Sequence, residues 1–530
     1  MSGLHTRRMM LQTTGALAAA ACSGLLTGAA VAESAPADGS VSKPRLRAAS
    51  IEFAITPAAG SIPDARFVSE AAQKVAGPLK TTITLLEDGG LRLCMVTSHL
   101  NWSYDVSYFF RRAIAEDLKL PVANVVMFSS HNHCDLQVAS DQVEAYNTYP
   151  IPLERLPEPK LLPIGRELLD QLRSHAKRLP DMLQPVTVWW AEGTEGRITY
   201  NRKGRRADGS TYLMREEDRE LVGQDFIGDI DRQAPIVVLK SLDGKPAAAL
   251  VQFTGHPVTS YRPEQPIIFG EWPQIACDLV AQHLQSPGSP PVGFLQGCAG
   301  DINSKEMFRG GVERSMQFGQ MLGQSYIKAI DMMKPSRRDG LDYAVENVRI
   351  PLAPLPSEKQ LRMEIVEMED FVRRAAAGDE NTRACVGLNF PKELSPAYRG
   401  KLVEAILPWN RWAIQLHESG QADTTPRYLE AEIYVIRIGD VGIVGMPFEP
   451  FQGIGRQIRR SSLPLTIPCG YANINIGYLT DSANTGDREY MSAFYRYTKS
   501  RPPYAKPAGD VLADKGVEIL NRFAEHEHVR

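Results

Sequence analysis

The sequence predicts a mixed α/β protein, with central β-sheets flanked by helices in a single large domain. Three observations predict it. Short apolar runs bounded by turn residues recur along the chain, as strands do. Segments with apolar residues at helical spacing alternate with them. No internal repeat or long low-complexity segment interrupts the 530 residues, so the chain does not read as a string of modules. Hydrophobic residues make up 43% and charged residues 23%, which is ordinary for a globular chain. A formal net charge of -3 gives no global field to draw nucleic acid or an anionic membrane.

The N-terminus carries paired arginines in His5-Thr6-Arg7-Arg8-Met9-Met10-Leu11, then the small apolar stretch Gly15 to Ala21. Ala30-Val31-Ala32 matches a small-x-small cleavage site. Residues 1–32 thus read as a twin-arginine-type export signal, giving an exported protein, periplasmic or secreted. Cys22 offers a lipid-attachment alternative that its upstream residues fit poorly. Residues 33–46, rich in Ala, Ser and Pro, read as a linker. No later segment reaches membrane-spanning length without charges.

From residue 47 the pattern turns strand-like. Thr81 to Leu85 and Leu91 to Val96 read as strands around Asp88-Gly89-Gly90. Val106 to Leu118 reads as an amphipathic helix, and Asn124 to Phe128 as a short strand. Leu161 to Leu179 is a predicted helix. Pro185 to Ala191, Pro235 to Lys240 and Ala247 to Phe253 are predicted strands, the last two joined at Asp243-Gly244 as a hairpin. Trp272 to Leu284 and Glu313 to Met333 read as helices on either side of a strand at Val292 to Gln296. Residues 357–418 are charged and helix-rich, with breaks at Pro391 and Pro396. Glu430 to Gly445 reads as paired strands turning near Gly439-Asp440. Helices follow at Phe451 to Arg460 and Asp510 to Phe523. The six cysteines beyond the signal, Cys94, Cys134, Cys277, Cys298, Cys385 and Cys469, are widely spaced without a C-x-x-C pair. Buried free thiols are the expectation.

His131 and His133 follow a predicted strand. On an extended strand end, residues two apart point to one side, so both imidazoles could share a pocket. His256 follows another strand and is held by Pro257; a strand-capping role is the alternative. Glu449 stands between Pro447 and Pro450, suited to hold a cation or simply to favour a helix N-terminus. Tyr478 and Tyr490 are two of eighteen tyrosines, and composition gives neither special weight. The basic run Arg202-Lys203-Gly204-Arg205-Arg206 reads as a solvated loop, with a binding patch as the alternative.

Taken together, these segments resemble the neutral/alkaline non-lysosomal ceramidases, over a stretch from about Ala48 to Phe523. The resemblance rests on Ile51 to Pro57, Phe128-Ser129-Ser130-His131-Asn132-His133, Tyr200-Asn201-Arg202 and Phe253 to Ser260. It continues through Gly270-Glu271-Trp272-Pro273, Gln296-Gly297-Cys298-Ala299-Gly300-Asp301, and the elements around Glu449 and Tyr478. It implies a catalytic domain at residues 47–525 that hydrolyses a linear amide, with ceramide or another N-acyl lipid as substrate. It implies a zinc ion on His131, His256, Glu449 and Tyr478, a metal-activated water, and His133 as proton-transfer group. Arg202 and Tyr490 would steady the substrate carbonyl. A small-molecule or lipid amide and a transient membrane-surface contact are the implied partners, with no nucleic acid.

Three departures stand out. The family's glycine-rich motif has a serine where this chain has Asn303, with Ser304 one place on, so a serine nucleophile is not expected. No counterpart of the family's C-terminal immunoglobulin-like domain is expected. The helical stretch 357–418 fits the family pattern less clearly and is expected to reshape the entrance. Hydrolysis of another small amide or ester, or a non-catalytic exported binding protein, are the alternative readings.

Overall fold

The computed structural model describes residues 45–525, apart from 56, 58–62, 67, 69, 224, 286 and 287. The expected export signal, Cys22 and the linker up to residue 44 lie outside the described residues. Leu46, expected as the linker's end, already opens a strand.

Strand β1 (Leu46–Ile55) pairs antiparallel with β2 (Leu79–Asp88), which turns at Gly89 and Gly90 into β3 (Leu91–Ser98). Gly89 has φ +59°, the left-handed geometry that a tight turn asks of glycine. Helix α1 (Tyr104–Leu118) crosses over to β4 (Val125–Ser129), parallel to β3. Helix α2 (Pro163–Met182) leads to β5 (Gln184–Thr194), and β6 (Gln233–Ser241) and β7 (Pro246–Phe253) form the expected hairpin. Helix α3 (Glu271–Leu284) crosses to β8 (Val292–Gln296), parallel to β7. These strands run in the order β8-β7-β6-β5-β1-β2-β3-β4, and the short Lys334–Pro335 pairs with β5.

Helix α4 (Gly311–Ile330) precedes the second sheet, whose order is β9 (Leu341–Pro351), β10 (Tyr428–Ile438), β11 (Val441–Gly445), β12 (Leu465–Cys469). Between β9 and β10 lie α5 (Glu358–Ala376), α6 (Pro396–Glu404) and α7 (Leu407–Glu418), and α8 (Asp510–Glu525) closes the chain.

Strand alternation explains the layering. In β4, Val125 and Met127 join the core under α1 and α2, while Val126 and Phe128 join the core shared with the second sheet. That shared core takes Leu86, Leu93 and Met95 from one sheet and Tyr434, Ile436, Ile443 and Ile467 from the other. Period-two side chains thus serve two layers at once. Helices α3 and α4 cover the first sheet near β6, β7 and β8, and α8 covers the second. The result is helix, sheet, sheet, helix, as the predicted fold class requires.

Two of the longer strands escaped the sequence. β9 reads Asp-Tyr-Ala-Val-Glu-Asn-Val and leaves most alternate residues half-buried, so no clean apolar face marks it. β12 contains Pro468, which argues against a central strand; it is an edge strand, where proline is tolerated. Pro396 opens α6 behind the cap Ser395, whose Oγ accepts from Tyr398 N–H at 3.2 Å. It starts a helix instead of breaking one, because the first helical position needs no N–H. The six cysteines beyond the signal are buried and unpaired. No helix of the described residues is long and apolar enough to cross a membrane.

Candidate metal centre

Several strand ends converge on one side of the sandwich. His131 lies just past β4, His256 past β7, Glu449 past β11 and Tyr478 past β12. Each of these strands belongs to a parallel pair and is left at its C-terminal end, the place where α/β sheets gather ligands. Gln296, fully buried at the end of β8, ties two of the loops together. Its Nε2 donates to Ser130 O at 3.0 Å and to Gly255 O at 2.8 Å, so each bond fixes the residue before a histidine.

The His131–His133 pair corrects the extended-strand expectation. β4 stops at Ser129, and His131 takes φ +58°. A left-handed residue with a side chain costs about 1–2 kcal/mol. The Ser129 hydroxyl supports the turn by accepting the His131 N–H at 3.0 Å. The two rings meet edge to face, with their Nε2 atoms 3.3 Å apart. His131 also lies flat against Tyr471, with ring centroids 4.2 Å apart.

His256 is held as rigidly. Its N–H donates to Ile302 O at 3.0 Å, and its carbonyl accepts the Ser304 N–H at 3.1 Å. Nδ1 lies 2.8 Å from Ala299 O and 3.1 Å from Ile302 O. A carbonyl only accepts, so Nδ1 carries the proton. Burial, reinforced by the Arg202 charge, pushes the imidazole pKa down to about 3. The ring is therefore neutral, and Nε2 presents a lone pair. That lone pair faces Glu449 Oε2 at 3.0 Å.

Glu449 reaches this point by backbone pairing with Tyr478: Glu449 N–H donates to Gly477 O at 3.0 Å. Its Oε1 accepts from Asn475 Nδ2 at 2.9 Å, and Oε2 also lies 3.4 Å from His131 Nε2. Burial works against ionisation here, but the neighbouring His131 imidazole holds the carboxyl well below the usual range. Gly300 admits this close packing: a Cβ there would stand 2.6 Å from Glu449 O.

Arg202 is buried, which corrects the solvated-loop reading at that residue; Lys203–Arg205 forms a small hairpin strand outside it. Arg202 Nη2 donates to Tyr478 Oη at 2.8 Å and Gly300 O at 2.8 Å, and stands 3.3 Å from His256 Nε2. Tyr478 therefore joins the cluster through Arg202. Tyr490 lies one ring further out, packed edge-on to Tyr478 at 5.6 Å. The helical stretch 357–418 buttresses this side. Buried Glu364 on α5 accepts from Arg496 at 3.1 Å and also binds Arg488, bracketing the segment that carries Tyr490.

The structure thus gathers His131, His133, His256 and Glu449 directly, Arg202 and Tyr478 beside them, and Tyr490 at the margin. Ser304 is fully buried, and its Oγ accepts from Thr259 Oγ1 at 2.8 Å. Gln296, Tyr471 and Asn475 were not singled out by sequence reasoning. Gln296 sat inside a quoted motif, but nothing in spacing or composition marks the other two.

The converging acceptors fit a divalent cation. With Nδ1 turned to the Ala299 carbonyl, His256 Nε2 lies 3.0 Å from Glu449 Oε2, and His131 Nε2 adjoins the same oxygen. His256 donates its other nitrogen to a carbonyl, as metal-bound histidines do. The three imidazoles His131, His133 and His256 also offer nitrogens all within 4.8 Å of one another.

This architecture recurs in solved structures. A neutral ceramidase from Pseudomonas aeruginosa superposes with a TM-score of 0.57 at 16% identity, covering 91% of this chain and 75% of that one. A ceramidase complexed with C2 gives 0.59 at 15% identity, with 91% and 76% coverage. The fold is that of the neutral ceramidases. No family model and no curated protein matches the sequence, so the ceramidase fold persists here at an identity that sequence comparison does not register.

Proposed function

We propose that this protein hydrolyses a linear amide, an N-acyl lipid or a related N-acyl amine, at a zinc ion held by His131, His256, Glu449 and Tyr478. The observation that carries the reading is the 3.0 Å approach of His256 Nε2 to Glu449 Oε2, two buried groups that a shared cation would hold together. When bound, zinc polarises a carbonyl and brings the pKa of a water close to neutral. His133, with Nε2 3.3 Å from His131 Nε2, accepts a proton from water and later returns it to the departing nitrogen. Arg202, fixed by Gly300 O and Tyr478 Oη, and Tyr490 stabilise the carbonyl oxygen as it gains charge. In balance, the water oxygen bonds to the acyl carbon, the C–N bond breaks, and acid and amine are released. Export of the folded, metal-loaded chain by residues 1–32 belongs to the same proposal.

A fluorescent short-chain N-acylsphingosine and a panel of simple amides, assayed with and without chelator, test the reading. Hydrolysis that stops on chelation and returns with zinc is expected. Hydrolysis indifferent to complete metal removal would contradict it. A second reading has its own observation: the close grouping of three imidazoles would make His133 a ligand in place of Tyr478. Metal loss in His133→Ala would favour it.

A further inference from the structure

Of the four proposed zinc ligands, His131 alone has a left-handed backbone, with φ +58°. A residue with a side chain disfavours that geometry, so its neighbours must hold the turn. The loop that follows β3 lies against it. The Ser130 N–H donates to Ser98 O at 2.9 Å where the two loops leave their parallel strands, and this brings Asn101 beside the histidine.

Asn101 grips the turn with both ends of its amide. Its Nδ2 donates to the Asn132 carbonyl at 2.5 Å and to Asp135 Oδ2 at 3.2 Å. A carbonyl only accepts, so the amide nitrogen must face Asn132 and the amide oxygen is left for Ser129. That oxygen, Oδ1, accepts from the Ser129 hydroxyl at 2.7 Å. With its proton so directed, Ser129 Oγ offers a lone pair to the His131 N–H, 3.0 Å away. The direction of each bond is thus set by the one before it, and the last of them falls on the metal ligand's own backbone.

Two further side chains anchor this relay. Asp135 Oδ2 also accepts the Asn101 N–H at 2.6 Å, and its Oδ1 accepts the Leu136 N–H at 2.6 Å. Asn132, between the two histidines, accepts the Cys134 N–H on Oδ1 at 2.8 Å and donates from Nδ2 to Phe269 O at 2.7 Å. Asn101, Ser129, His131, Asn132 and Asp135 are all buried. A buried network with its members paired is rigid and specifies one geometry.

We infer that Asn101 is a positioning residue for the metal. Through Ser129 it holds the His131 backbone in the turn that brings Nε2 to Glu449, 3.4 Å from Oε2. This rests on the zinc-centre reading and adds to it a residue outside the ligand set.

The test is zinc affinity, read on the full-length protein by competition with a chromophoric chelator, beside the denaturation midpoint of the metal-free form. Asn101→Ala and Ser129→Ala should each weaken zinc binding about tenfold or more, the usual effect of removing a group that orients a ligand. Both act through the one bond to the His131 N–H. The double variant should therefore fall roughly threefold or more short of the product of the two single losses. Asn101→Leu, which keeps the bulk and removes the bonds, enters the cycle should Asn101→Ala fail to fold. A lowered midpoint with zinc affinity unchanged would make the network purely structural and overturn the inference, as would two losses that multiply in full. In either case the parent protein still binds zinc and the zinc-centre reading stands. A parent protein that takes up no zinc would overturn both.

Discussion

The histidine–glutamate cluster and the glycine-rich turn at residues 297–304 occupy neighbouring strand ends, yet they are built for opposite tasks. In the cluster, His256 Nε2 and Glu449 Oε2 face each other as acceptors at 3.0 Å. In the turn, the hydroxyl and several backbone groups are spent on structure. Ser304 Oγ accepts from Thr259 and from the Val258 N–H, and the Ile302 carbonyl accepts the His256 N–H. Acceptors that converge in a buried site suit a cation; a buried hydroxyl that accepts from two neighbours is poorly placed to attack. The difference teaches that the turn positions the histidine, and it is the cluster to which the proposed chemistry belongs.

That contrast can be broken in order of expected effect. Glu449→Gln keeps the shape and removes the charge. It should abolish zinc binding and cut amide hydrolysis by roughly a thousandfold or more, since a neutral amide is a poor zinc ligand. His133→Ala should keep the metal and lower kcat by roughly a hundred- to ten-thousand-fold, the usual worth of a positioned proton-transfer group; metal analysis alongside single-turnover rates separates the two. Gln296→Leu tests the tie between the loops. It strands the Ser130 and Gly255 carbonyls, each about 1–3 kcal/mol in a buried setting. A lowered denaturation midpoint together with weakened zinc affinity is expected, whereas loss of stability alone would make Gln296 purely structural. Ser304→Ala should cost about 1 kcal/mol of stability and leave hydrolysis nearly unchanged. A variant that is stable but inactive would revive a serine mechanism and reverse the comparison.

Much of this was legible in the sequence, for identifiable reasons. Strands with clean apolar faces and glycine turns, such as the hairpin about Asp243-Gly244, announce themselves locally. β9 does not, because its alternate positions are polar and only half-buried, and Pro468 disguises β12. The residues His131, His256, Glu449 and Tyr478 were reached through a resemblance spread over distant motifs, and the fold places their strand ends together. The left-handed turn at His131 was not legible. The H-x-H spacing suggests an extended end, and only the Ser129 hydroxyl and the stacked Tyr471 explain the turned backbone. Tyr471 stayed hidden because an aromatic residue reads as core until it is seen stacked on the His131 ring.

The central claim is that one cation resolves the His256–Glu449 contact. Elemental analysis of the purified full-length protein, before and after chelation and zinc reloading, tests it most directly when set beside His256→Ala. The account predicts one zinc per chain in the parent protein, removed by chelator, restored on reloading, and absent from the variant. A parent protein that takes up no divalent metal, or a His256→Ala protein that binds it as tightly, would contradict it.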